Sequence, residues 1–174
     1  MFIVQYIAKL IKILRSAASP NQIAGGCVLG MIMGLTPLMS LHNVVVLILL
    51  IMLNVNIAMA IFCLGVFSGF AYLLDPLFHD FGYYMLVDVQ GLKALWTSMY
   101  NIPIIALSKF NNTVVMGSLL SSIIAVIPMF FLIKYAVIGY RKHIDARFQK
   151  LKIVQIIKGS KIYSLYEKIK NLGD

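Results

Sequence analysis

The chain is short of charge, and shortest of negative charge. Only 12% of its 174 residues are charged, and six are acidic. A soluble domain carries about 25% charged residues, so a water-facing surface of ordinary polarity is excluded. The acids cluster as Asp75, Asp80 and Asp88 in the middle and Asp145, Glu167 and Asp174 at the end. None falls inside a membrane span expected from hydropathy, which excludes a carboxylate proton relay of the kind pumps use. Cysteine is equally scarce. Cys27 and Cys63 each lie within an apolar run and read as small packing residues with free thiols, so no disulfide framework is implied. The three histidines, His42, His79 and His143, stand far apart in the chain. No Walker loop, dinucleotide fingerprint, nucleophile elbow or paired-cysteine motif occurs, and His79, Asp80 and Asp75 lack a recognised metal-ligand spacing. No catalytic residue, metal ligand or cofactor is therefore assigned, and an enzyme acting alone is not expected.

What fills the space is hydrocarbon. Hydrophobic residues make up 61% of the chain, against about 45–50% in soluble domains. The apolar runs are long and uniform around the helix, so lipid is the expected solvent. The net charge of +9 sits at the two ends. Residues 1–18 carry Lys9, Lys12 and Arg15 with no acid, and residues 141–174 are rich in Lys and Arg, whereas residues 19–112 hold only Lys93 and Lys109. By the positive-inside rule both termini are cytoplasmic and the number of full crossings is even. A nucleic-acid role would need a soluble scaffold to display the basic face and is not expected. Lysines interleave with the apolar residues of 1–18 and no A-x-A site follows, so no cleavable signal peptide is expected.

In chain order, residues 1–18 read as an interfacial amphipathic helix, with Gln5, Lys9, Lys12 and Arg15 on one face and Phe2, Ile3, Ile7, Leu10, Ile11 and Leu14 on the other. Ser19-Pro20-Asn21-Gln22 is a capping box with proline at the first helical position. Gly26, Gly30 and Gly34 follow at spacing four, a small-residue stripe that lets another backbone approach. Residues 20–35 and 38–53, broken at Thr36-Pro37, are each too short to cross a core ~30 Å thick with ease. They are expected to form a re-entrant or short helical hairpin over about 20–53. Ser40, His42 and Asn43 sit where they can serve the backbone opened at Pro37, or meet a headgroup or ion. Transmembrane helices are expected at about 57–74 and 113–139. The first carries Gly65 and Gly69, placed to face the hairpin glycines, and is expected to stop at Asp75-Pro76. The second carries Gly117, Ser118, Ser121 and Ser122 as a packing stripe, and Pro128. Residues 77–112 read as amphipathic, either interfacial or shallowly re-entrant. The expectation is an all-α integral membrane protein, with residues 1–140 as the membrane domain and 141–174 as a basic amphipathic cytoplasmic tail. Gly26, Gly30, Gly34, Pro37, Ser40, His42, Asn43, Gly65 and Gly69 are the candidate contacts for a lipid or a partner helix.

A S-P-x-x-I-A start, Gly30, Gly34 and Pro37, a run ending Leu53-Asn54-Val55-Asn56, then Asp75-Pro76-Leu77-Phe78, Gly82 and Met85-Leu86 form an ordered set of motifs. With Met116-Gly117-Ser118 through Tyr140-Arg141, the set resembles the bacterial membrane-protein family of the domain of unknown function 2062 type over roughly residues 10–145. Where that family has Gly-Gln after its proline, this chain has Ser40-Leu41-His42-Asn43, and its Ser-Asn-Pro appears as Ser68-Gly69-Phe70. The resemblance implies a bacterial inner-membrane protein. Short forms of this kind look like companions of long AsmA-like proteins, which are similar to bridge-type lipid-transfer proteins. It thus implies a non-enzymatic subunit supporting phospholipid transport between inner and outer membranes, with the hairpin receiving the partner's transmembrane helix. A stand-alone transporter or scramblase, and an anchor for a lipid- or glycan-modifying enzyme, are the alternatives.

Overall fold

Helices carry all the regular structure of residues 2–145, the part of the chain that the computed structural model describes; no strand occurs among these residues. The chain divides into two units, Met1–Tyr135 and Ala136–Asp174. The first unit is organised around α2 (Pro20–Leu35), in which twelve of sixteen residues are buried. A helix that is apolar all round belongs inside other helices, and α2 is surrounded accordingly. Its start is the capping box: Gln22 N–H donates to Ser19 Oγ at 3.2 Å, and Ser19 N–H to Gln22 Oε1 at 2.7 Å.

From α2 the chain turns at Thr36–Ser40 into α3 (Leu41–Met52), which buries only Asn43 and Val46. It then passes through Asn54–Asn56 into α4 (Ile57–Tyr83). Asn56 caps α4, its Oδ1 accepting from Met59 N–H at 2.8 Å, while its own N–H donates to the Gln22 carbonyl at 2.9 Å. That bond returns the chain to the first turn of α2. From there α2 and α4 run parallel: a Cβ on Gly26 would strike the Asn56 carbonyl, one on Gly30 the Ala60 carbonyl, and one on Gly34 the Leu64 carbonyl and Phe67 Cβ, both at 2.8 Å. Cys27 and Cys63 meet across the same seam as buried free thiols, with their sulfurs 2.7 Å apart.

Helix α4 does not stop at Asp75-Pro76. It continues to Tyr83 with Pro76 inside it and passes into a π-helical turn, Tyr84–Asp88. Proline removes one hydrogen bond and kinks a helix, but residues past Pro76 have a second contact to hold them. Gly82 and Gly117 of α7 (Thr113–Gly139) let the two backbones meet, a Cβ on Gly82 striking the Thr113 carbonyl and one on Gly117 the Phe78 carbonyl. The register, 82 with 113 and 78 with 117, makes α4 and α7 antiparallel. Ser118 and Ser122 are fully buried beside Gly117 and satisfy their hydroxyls on the Val115 and Leu119 carbonyls of their own helix. Val126, Met129 and Phe130 of α7 pack on the cluster of Val28, Leu29, Ile32, Met33 and Val46.

Between α4 and α7 the chain forms α5 (Lys93–Tyr100) and the short α6 (Pro103–Ala106). Trp96 ties them to the π turn, its Nε1 donating to the Met85 carbonyl at 2.9 Å, and its ring lies 6.3 Å from that of buried Phe110. At the other end, α1 (Phe2–Leu14) meets α4 through Tyr6 and Phe62, with ring centroids 6.0 Å apart. Ile7 and Ile11 of its expected apolar stripe stay exposed while Ile13 is buried.

The structure contains two helices long and apolar enough to cross a membrane, Ile57–Asp88 and Thr113–His143. Only 17% and 28% of their most apolar windows is buried inside the chain. Exposed aliphatic faces on this scale suit lipid and not water. The described part of the second unit is the end of α7 and a π-helical turn, Tyr140–Asp145, where His143 Nδ1 lies 3.2 Å from the Gly139 carbonyl. The tail helices expected beyond Asp145 lie outside the described residues.

Gly30→Ala forces the α2–α4 seam apart and is expected to destabilise the protein by roughly 1–3 kcal/mol, the usual cost of overpacking. Gly69→Ala, where a Cβ meets nothing within 4 Å, is expected to be neutral or to gain up to about 1 kcal/mol of helix propensity. Thermal midpoints in detergent compare the two, and equal midpoints would contradict the seam.

Candidate functional site

The break at the end of α2 follows from Pro37. Its ring disfavours helical backbone in the residue before it, and Thr36 is extended at φ −99°, ψ 155°. The gap is then closed by side chains. Asn43 Nδ2 donates to the Pro37 carbonyl at 3.0 Å and the Leu38 carbonyl at 3.3 Å. Ser40 Oγ donates to Pro37 at 2.7 Å. The Thr36 hydroxyl donates to the Ile32 carbonyl at 2.8 Å and lies 3.2 Å from Asn43 Oδ1. Thr36 and Asn43 are both buried, so their side-chain polar groups are satisfied inside the fold while they serve the backbone. Of the polar trio, Ser40 and Asn43 therefore support the backbone. His42 does not: both ring nitrogens are screened from solvent and have no hydrogen-bond partner.

Two clefts flank this framework. One, of about 300 Å³, opens at the break itself and is lined by Gly34 through Leu38, by Ser68, Tyr72 and Asp75 of α4, and by Val114 of α7. The other, of about 250 Å³, lies between α2, α3 and α4. Its lining, including Met33, Leu47, Leu50, Ala60 and Leu64, contains no polar side chain.

Of the residues expected from the sequence, Pro37, Ser40 and Asn43 come together at the break, and Gly34 joins Pro37 in the first cleft. Gly26 and Gly30 are covered by α4 of the same chain, so they are not open to another helix. Gly65 and Gly69 do not face them: Gly65 has only Tyr6 Oη near its Cβ position, at 3.9 Å, and Gly69 has nothing. The reason is register. The carbonyls opposite the glycines belong to Asn56, Ala60 and Leu64, which places Gly65 and Gly69 on another side of α4. Sequence reasoning missed Tyr72 and Asp75 as cleft residues. Asp75 was read as a helix stop and weighed with His79 and Asp80 as a metal group; the signal against the stop was Gly82, a small residue beyond Pro76 that meets α7 as Gly117 meets α4.

Asn43→Ala removes the side-chain donor to the Leu38 carbonyl and one of two donors to the Pro37 carbonyl, and a lost hydrogen bond costs about 0.5–1.5 kcal/mol. A clear fall in thermal midpoint is expected. His42→Leu removes two unpartnered nitrogens and is expected to leave the midpoint unchanged or raise it. A fall as large as that of Asn43→Ala would show that His42 is held by bonds of its own.

No solved structure matches the chain. An uncharacterized protein of Treponema pallidum (strain Nichols) is 20% identical over 157 residues, covering 90% of this chain and 96% of that protein. The profile of a conserved bacterial family of uncharacterized proteins, DUF2062, matches residues 5–145, which takes in the capping box, the break at Pro37, both glycine contacts and both long apolar helices. The chain belongs to this DUF2062 family.

Proposed function

We propose that this chain is a multi-pass protein of the bacterial inner membrane, with both termini cytoplasmic, acting as a non-enzymatic subunit in phospholipid transport between the inner and outer membranes. The observation that carries the reading is the wholly apolar cleft between α2, α3 and α4. In a bilayer the matter available to fill such an open apolar cleft is an acyl chain. The charge at the two chain ends supports the orientation.

The depth of the hairpin follows from α4. The break of α2 shares its cleft with Asp75, and Asp75 lies about 27 Å along the helix from Ile57 at 1.5 Å per residue. That is close to the ~30 Å hydrocarbon core. The α2–α3 pair is thus a deep hairpin whose tip approaches the far interface, where Leu38 and Met39 are exposed. With the α2 glycines occupied, the surface left for the transmembrane helix of a large AsmA-like partner is the open Gly65–Gly69 side of α4.

Purification in mild detergent is expected to recover phospholipid and a large periplasm-spanning partner. Gly69→Leu should lose the partner without lowering the thermal midpoint. A lipid-free monodisperse monomer would overturn the reading. Lipid movement by the protein alone in liposomes would favour a stand-alone transporter instead.

A further inference from the structure

The cleft at the break differs in chemistry from the apolar one. Pro37 has no N–H to offer, and no hydrogen bond among the described residues reaches the carbonyls of Gly34, Leu35 or Thr36. These are the orphan acceptors of a helix C-terminus, where the peptide dipoles sum to a partial negative charge. All three residues line the cleft, and so does the Asp75 side of α4. No Lys, Arg or His lines it, while Ser68 and Tyr72 add hydroxyl groups. Negative potential from a carboxylate and from a helix end therefore converges on one small space with no cationic side chain to offset it.

We propose that this cleft is a binding site for a small monovalent cation, either a free alkali ion or the primary ammonium of a lipid headgroup. The donor set is all oxygen, which suits hard cations and ammonium groups and not soft metals. One carboxylate in the lining matches one positive charge; divalent ions in protein sites take several carboxylates or many oxygens. Unwound backbone at the C-terminal end of a broken helix is a recurring way to hold such ions in membrane proteins. A space of about 300 Å³ exceeds a bare ion and accommodates a partly hydrated ion or an ammonium head. The inference rests on the cleft alone and stands apart from the reading as a transport subunit.

The test uses the full chain in a neutral detergent. Thermal midpoints are recorded in N-methylglucamine chloride, then with NaCl or KCl replacing it at constant ionic strength. Parallel samples receive phosphatidylethanolamine or phosphatidylglycerol in mixed micelles. A saturable rise is expected with Na⁺, with K⁺ or with phosphatidylethanolamine, and Asp75→Asn should abolish it. A rise with an alkali ion assigns a free ion, and a rise with phosphatidylethanolamine alone assigns the ammonium head. No rise above the glucamine baseline, or a rise that persists in Asp75→Asn, overturns the site. If Asp75→Asn does not fold, Ser68→Ala and Tyr72→Phe replace it. At least one should weaken the apparent affinity by about tenfold, the equivalent of ~1.4 kcal/mol; unchanged affinity in both overturns the site equally.

Discussion

Two backbones lie in contact along the centre of this protein because one of them carries no side chain at Gly26 and Gly30. The rest of the arrangement depends on that contact. Glycines in a helix interior cost about 1 kcal/mol each in propensity, so such a helix is held by what the missing side chains admit. Here they admit the Asn56 and Ala60 carbonyls. The contact sets α2 parallel to α4, and two parallel neighbours in sequence need a return element between them. Helix α3 is that element, and its shallow burial follows: it has only to bring the chain back.

The same contact sets what the break faces. With Gly34 against Leu64 and Phe67, the backbone freed at Pro37 meets the stretch of α4 from Ser68 to Asp75 and no other. The second glycine contact, Gly82 with Gly117, then carries α4 beyond Pro76. A carboxylate that would otherwise mark a helix terminus becomes part of a helix wall. The break thus shares a cleft with Asp75, while the apolar cleft lies between α2, α3 and α4.

Features governed by local rules were legible in the sequence. The capping box at Ser19, both bounds of α2, the bounds of α7 and the backbone-supporting roles of Ser40 and Asn43 follow from residue types at fixed short spacings. The glycine stripe was legible as a close approach, but not what approaches. Gly65 and Gly69 share its spacing of four, and spacing does not say which side of α4 they occupy. Pro76 misled because its local effect is to end a helix, while the glycine contact that overrides it lies across the fold. The apolar cleft was invisible for a simpler reason: its space is defined by residues from three helices, and no short motif encodes it. His42 remains unaccounted for by the protein's own hydrogen bonds.

The parallel pairing also has a temporal side. The groove along α2 is closed by residues that come after it in the chain, from Asn56 to Phe67. A ribosome makes the groove first and its filling later. Until that later stretch has been synthesised, α2 and α3 have one another but not the helix that holds them. The packing of α2 and α3 is therefore provisional until α4 emerges, and the birth of α4 makes it final.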